Sequence, residues 1–192
     1  MARRASLIVL DRDGVLNRTV SNPAEPRPDS PMRASEAEVF PWVPEVLRAL
    51  TAAGFGLVIA SNQPAAAKGK TTRAALEEAH AVIVRDAQAA GGVILSSHIC
   101  YHRAEDGCAC RKPLPGLLAE AFARHAGVRP EDSWMVGDRA TDVLAGAAFG
   151  LATAYLGDVT SEDFATLAAR AVSPSFCGTD LRDFAVHLLT QG

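Results

Sequence analysis

Five short apolar runs recur along the chain, and each is followed by a stretch with apolar residues at helical spacing. The runs are SLIVLD (6–11), FGLVIASN (55–62), VILSSHIC (93–100), SWMVGD (133–138) and LATAYLG (151–157). Residues 42–54, 71–92, 114–128, 139–150, 161–171 and 180–192 read as helices. Thr71 or Thr72 caps the second of these, Pro115 lies in the first turn of the third, and Gly54 stops the first. Fully apolar strands that alternate with helices fit an α/β fold. The expected form is an open parallel sheet with helices on both faces. In such a sheet ligands bind outside the carboxyl ends of the strands. A segment PSFCG (174–178) between the last two helices reads as a short connection.

The chain of 192 residues suits one domain with a full core. A net charge of −3 gives no global signal for nucleic acid or an anionic membrane. No apolar run approaches the ~20 residues that span a bilayer. The start, MARRASLIVLDRDG, is basic and then apolar, but the apolar part is only about five residues and ends in charge. A cytoplasmic protein is the expectation, and a monomer, since no exposed apolar stripe or heptad run is evident. The stretch SNPAEPRPDSPMRASE (21–36) is rich in proline and poor in apolar residues, and reads as a long extended loop.

The strand reading collects the chemistry on one rim. The first strand ends in Asp11 with Asp13 close behind, the second in Ser61 and Asn62, and the fourth in Asp138 with Asp142 one helical turn later. Arg111 and Lys112 lie in the loop before the third helix. Singly, each has an ordinary reading as a cap, turn or solvated charge. Together, several carboxylates at one place need a cation, and hard oxygen donors suit Mg²⁺. A hydroxyl and an ammonium beside it suit phosphate oxygens. An aspartate against the metal can attack phosphorus, and a second can move protons.

A second cluster is compact. CYHRAEDGCACRKP spaces Cys100, His102, Cys108 and Cys110 as C-x-H-x5-C-x-C. Three thiolates and an imidazole make a closed tetrahedral Zn²⁺ set with no place for water, so the zinc is expected to be structural. It would staple the loop that carries Arg111 and Lys112. Cys177 is expected to be a buried, inert thiol.

The motifs DRDGVLN, IASNQ, CRKPLPG and MVGDRATD, in that order, resemble the four-motif signature of the haloacid dehalogenase superfamily of phosphatases. The likeness runs from about Ser6 to Leu156 and implies one hydrolase domain over 1–192, with a doubly wound, Rossmann-like α/β fold that agrees with the strand–helix count. Its implied chemistry is phosphate monoester hydrolysis. Asp11 would be the nucleophile and Asp13 the acid and then the base. Ser61, Asn62, Arg111 and Lys112 would bind substrate or phosphate. Mg²⁺ would sit on Asp11, the backbone carbonyl of Asp13, and Asp138, with Asp142 supporting the metal or Lys112.

The cysteine cluster narrows the resemblance to the zinc-loop branch of that family, which includes phosphatases of heptose bisphosphates and of histidinol phosphate and lacks a large cap domain. The substrate, a small phosphorylated metabolite, would then be shaped by loops 18–34, 63–70 and 100–112. NQPAAAKGK is similar to the loop of the heptose enzymes but departs from it at Pro64–Ala65. Histidinol phosphate carries an amine and an imidazole and should favour carboxylates. A sugar bisphosphate has a second phosphate and should favour cations. These loops offer Arg27, Arg33, Lys68, Lys70, Arg103 and Arg111 against Glu25, Asp29, Glu36, Glu105 and Asp106. The balance favours the sugar bisphosphate, with histidinol phosphate as the alternative. A non-catalytic zinc-stabilised binding module would have no use for Asp11, Asp13, Lys112 and Asp138 together.

Overall fold

The computed structural model describes residues 6–21 and 28–190. Six parallel strands form one sheet: β1 (Leu7–Leu10), β2 (Gly56–Asn62), β3 (Ile94–Cys100), β4 (Trp134–Gly137), β5 (Ala152–Leu156) and β6 (Phe176–Gly178). Their spatial order is β3-β2-β1-β4-β5-β6. The connecting helices are α1 (Val43–Ala52), α2 (Arg73–Ala87), α3 (Gly116–Arg124), α4 (Ala140–Phe149) and α5 (Glu162–Ala169), with α6 (Leu181–Thr190) at the end. The strand order reverses at β1, so its neighbours β2 and β4 diverge and leave a crevice at its carboxyl end.

The two-residue period of the strands divides the core. Ile8, Leu10, Leu57 and Ile59 face Leu47 and Leu50 of α1 and Phe184 of α6. Leu7, Val9, Val58 and Ala60 face Leu117, Leu118 and Ala121 of α3 and Ala145 of α4. With both faces covered, β1 has to be apolar at every position, which is why it reads as a continuous run. Helix α5 adds Leu167 to a smaller cluster with Val143 and Tyr155.

Several boundaries shift from the sequence reading. Thr72 is the cap of α2, its hydroxyl accepting the Ala75 N–H at 3.1 Å. That helix ends at Ala87 rather than running to 92, and the Gln88 side chain accepts the Ile94 N–H at 2.7 Å, turning the chain into β3. Pro115 stands at the cap position of α3, one residue before the helix. PSFCG contains the edge strand β6, paired with β5 from Ala154–Phe176 to Leu156–Gly178. Cys177 on that edge is exposed, which corrects the expectation of a buried thiol.

At the proline-rich segment, Val20 and Asp29 exchange both backbone hydrogen bonds, at 2.8 and 2.9 Å. Glu25 and Arg27, counted above in the charge balance of the loops, lie outside the described residues. Among the described residues no helix is long and apolar enough to cross a membrane, and none belongs to a cap domain over the strand ends.

Candidate active site

The backbone of β1 leaves the ladder at Asp11, whose N–H still bonds Val136 O at 2.8 Å. Its carboxylate therefore emerges between β2 and β4. Lys112 reaches the same point from the zinc loop. Its side chain is 1% exposed, and Nζ meets Asp11 Oδ1 at 3.0 Å, Asp142 Oδ1 at 2.5 Å and the Ala60 carbonyl at 2.7 Å. Burial alone would push this ammonium down, but Asp11 and Asp142 outweigh it and hold it above its ordinary value. The lysine is a fixed cation.

Asn62 positions that lysine. Its Oδ1 accepts the Lys112 N–H at 3.1 Å and its Nδ2 donates to the Lys112 carbonyl at 3.0 Å. The amide thus clamps the backbone N–H and carbonyl of one residue from the end of β2, 50 residues away in sequence. Asn62 lines the cavity as expected, but its side-chain amide is committed to this clamp.

Asp138 and Asp142 complete a group with Asp11, their oxygens lying within 4.8 Å of one another. Burial, then Asp11 and Asp142, drive the Asp138 carboxyl well above its usual range. Burial and Asp11 push Asp142 up to about 7, against the pull of Lys112. Asp138 Oδ1 is buried and has no hydrogen-bond partner. Two glycines make room for these carboxylates: a Cβ on Gly14 would collide with the Asp138 carboxyl, and one on Gly137 with Asp142. Three carboxylates facing one ammonium, with an orphaned buried oxygen, are the donor set of a hard divalent cation. Asp11 and Asp138 fit Mg²⁺, while Asp142 leans on Lys112.

Asp13 lies in a separate setting. Arg12, fully buried, grips its carboxylate through Nε at 3.1 Å and Nη2 at 3.0 and 3.1 Å. Asn17 Nδ2 donates to it at 2.9 Å and Gln63 Nε2 at 2.5 Å. Burial pushes this carboxyl up, but Arg12, Asn17, Gln63 and Ser30 together bring it below its usual range. Gln63 also donates to Ser61 Oγ at 2.9 Å, tying the hydroxyl at the end of β2 to Asp13. Arg12, Asn17 and Gln63 were missed from sequence. They stand inside or beside the quoted motifs, and the signal that could have found them is a polar residue of unassigned role flanking each motif aspartate or serine.

Asp11, Asp13, Ser61, Lys112 and Asp142 open onto a cavity of about 510 Å³ that also meets Lys68, Arg111 and Arg139. Of the described loop cations, Lys70 pairs with Asp29 at 3.3 Å, Arg33 with Glu36 at 2.6 Å and Arg103 with Asp106 at 2.9 Å. Arg111 donates to the His102 carbonyl at 3.1 Å, and Lys68 has no carboxylate partner among the described residues. The basic character of the rim therefore rests on Lys68 and Arg111, joined by Arg139.

Cys100 ends β3, and Gly107, with φ of 64°, turns the loop so that Cys108 and Cys110 return to it. The sulfur separations are 3.7, 3.3 and 3.5 Å, and His102 Nδ1 lies 3.3 and 3.6 Å from Cys110 and Cys100. Zn–S bonds of ~2.3 Å in a tetrahedron place sulfurs ~3.8 Å apart, so four donors already lie near the vertices. Burial and the neighbouring thiols drive Cys110 up to about 12, a crowding that a zinc ion resolves by taking the sulfurs as thiolates. The set fits Zn²⁺.

The HAD-hydrolase-like family model matches residues 109–184. The chain is 37% identical over 146 residues to the D-glycero-beta-D-manno-heptose-1,7-bisphosphate 7-phosphatase of Bordetella bronchiseptica, covering 76% of this chain and 77% of that one. It is 34% identical over 140 residues to the histidine biosynthesis bifunctional protein HisB of Legionella pneumophila, covering 71% of this chain and 37% of that protein. The crystal structure of D,D-heptose 1,7-bisphosphate phosphatase from B. bronchiseptica, complexed with magnesium and phosphate, superposes with a TM-score of 0.80 at 32% identity, covering 97% and 99% of the two chains. On its sequence and its fold, this chain belongs to the haloacid dehalogenase-like hydrolases and is one of their phosphatases.

Proposed function

We propose that the chain, acting as one hydrolase domain, removes the 7-phosphate of D-glycero-D-manno-heptose 1,7-bisphosphate by way of a phosphorylated Asp11. The observation that carries this reading is the buried constellation of Asp11, Lys112, Asp138 and Asp142 at the carboxyl end of β1. One carboxylate is held against a fixed ammonium, and two more face it. Mg²⁺, held by Asp11, Asp138 and the backbone carbonyl of Asp13, would supply positive charge to the non-bridging phosphate oxygens.

In the first step an Asp11 oxygen attacks phosphorus, the new O–P bond forms, and the bond from phosphorus to the sugar oxygen breaks. Asp13 gives that oxygen its proton. In the second step a water oxygen attacks phosphorus, Asp13 takes the proton, and Asp11 and inorganic phosphate separate. Lys112 and the Ser61 hydroxyl hold phosphoryl oxygens through both steps. Asp13 rests ionised, so it is ready as the base and must gain a proton and leave the Arg12 grip to act as the acid.

Lys68, Arg111 and Arg139 support a second phosphate on the substrate, and the likeness to the B. bronchiseptica enzyme supports a heptose. The likeness to HisB favours histidinol phosphate as the second reading, with Asp29 and Asp163 as the cavity's carboxylates outside the phosphate-binding group. The test is kcat/KM for heptose 1,7-bisphosphate, fructose 1,6-bisphosphate and histidinol phosphate at fixed Mg²⁺. The heptose bisphosphate is expected to lead, and a preference for histidinol phosphate would establish the second reading instead.

A further inference from the structure

Away from the cavity, on the edge strand β3, the Ser96 hydroxyl lies 3.0 Å from His98 Nε2 and 3.0 Å from His125 Nε2. The other nitrogen of His98 faces Glu120 Oε2 at 3.5 Å. The His98 side chain is 9% exposed, and His125 caps the carboxyl end of α3. None of these residues belongs to the phosphate site or the cysteine cluster.

We propose that His98 and His125, with the Ser96 hydroxyl, form a second metal site for a borderline divalent transition ion such as Ni²⁺ or Zn²⁺. Imidazole nitrogens suit such ions better than Mg²⁺. Ligands at ~2.1 Å in adjacent octahedral positions are ~3.0 Å apart, since the edge is 1.4 bond lengths. Both serine-to-imidazole separations have that value. Glu120 stands where an orienting carboxylate belongs, behind the ring nitrogen that does not ligate. The carbonyls at the end of α3 add negative potential, opposed by Arg124, whose charge acts on His98. Water would fill the remaining positions. The ion would join β3 to α3, the elements that enter and leave the zinc loop, and so add to the stability of that side of the sheet.

The same two 3.0 Å contacts also suit a hydrogen-bonded relay without metal, in which the serine donates to one imidazole and accepts from the other. Metal uptake separates the two. Wild-type protein with its cysteine site filled by zinc and its carboxylate site held by excess Mg²⁺ is titrated with Co²⁺ and with Ni²⁺, and bound ions are counted after desalting. The expected result is one additional ion per chain and a raised Tm. The added Co²⁺ should show weak visible absorption without thiolate charge-transfer bands, which sets it apart from cobalt in the cysteine cluster. H98Q/H125Q should lose the additional ion and keep phosphatase activity. E120Q should weaken binding 10–100-fold. If the double variant does not fold, H125Q alone, at the helix end, gives the same reading. No additional ion in wild type, or the same number in the histidine variants, overturns the site.

Discussion

Asp11 and Asp13 are separated by one residue, yet they sit in opposite electrostatic settings. Asp11 shares its surroundings with Asp138 and Asp142 and meets one ammonium, Lys112. Three carboxylates there face one ammonium, and burial together with this excess of negative charge drives the Asp138 and Asp142 carboxyls upwards. Asp13 faces a buried guanidinium and two amide donors, and its carboxyl is driven down. The difference arises because β1 ends at Leu10, and only Asp11 still keeps a backbone bond to β4. Asp11 still points into the crevice between β2 and β4, while Asp13 falls on the turn that leads to Asn17 and packs against Arg12 and Gln63. An unbalanced cluster of carboxylates is a place that a metal cation completes. A balanced cluster is a place where a proton carrier is stored.

The largest test of this contrast is Asp11→Asn. Removing the nucleophile is expected to lower kcat by roughly 10³-fold or more. It also removes a repulsive charge from beside Asp138 and Asp142, so Tm should stay the same or rise. A fall of several degrees in Tm would show that Asp11 is a structural anchor and that its cluster is not in excess.

The Asp13 side offers an acid-stability test through His80, whose Nδ1 is buried without a partner. Burial and the Arg12 charge push this imidazole down to about 4 from an ordinary 6.5, against the pull of Asp13. Above pH 6.5 it is neutral in both the folded and unfolded chain, and stability does not depend on it. Below 6.5 the unfolded chain takes the proton first, so stability falls until the folded form is protonated near 4. Over that window the loss is about 3 kcal/mol. Urea unfolding between pH 7 and 4 should show this fall in wild type and a flatter profile in His80→Gln. Equal slopes would place the imidazole outside the balanced cluster.

The zinc loop tests how firmly the lone ammonium on the Asp11 side is held. Cys108→Ser, or chelation of zinc, should free the loop that carries Lys112. A catalytic group displaced by about 1 Å costs on the order of 10²-fold in rate. The loss should fall on kcat, accompanied by a lower Tm and the release of one zinc per chain. Full activity in zinc-free protein would mean that the Asn62 clamp and the Asp142 ion pair suffice to place the lysine.

Much of this arrangement was readable from sequence because motif residues end strands, and parallel strands share a rim. Asp11, Ser61 and Asp138 needed only the strand pattern, and Cys100, His102, Cys108 and Cys110 only their spacing. The partners of Asp13 were not readable, because nothing local distinguishes a fully buried arginine such as Arg12 from a solvated one. Strand β6 was missed because three residues are too few to show a period, and Cys177 was misjudged with it. The count of loop cations also overstated the basic rim. The pairing of Lys70 with Asp29 joins segments 41 residues apart and exists only in the fold.

The smallest expected effect is the most specific. Asn62→Ala removes both hydrogen bonds to the Lys112 backbone while leaving the Nζ contacts with Asp11, Asp142 and Ala60 available. With those contacts intact the lysine keeps its charge and its neighbourhood and loses only its backbone register. Each neutral hydrogen bond contributes about 1 kcal/mol, and part of that is recovered from water at the cavity wall. A decrease in kcat of about tenfold is therefore expected, with zinc content unchanged and KM altered less than kcat. Asn62→Asp retains the acceptor for the Lys112 N–H but sets a carboxylate against the Lys112 carbonyl, so it should not rescue. If Asn62→Ala instead raises KM and leaves kcat alone, the amide serves ground-state binding of the substrate. The placement of Lys112 would then rest on its own ion pairs and on the zinc loop.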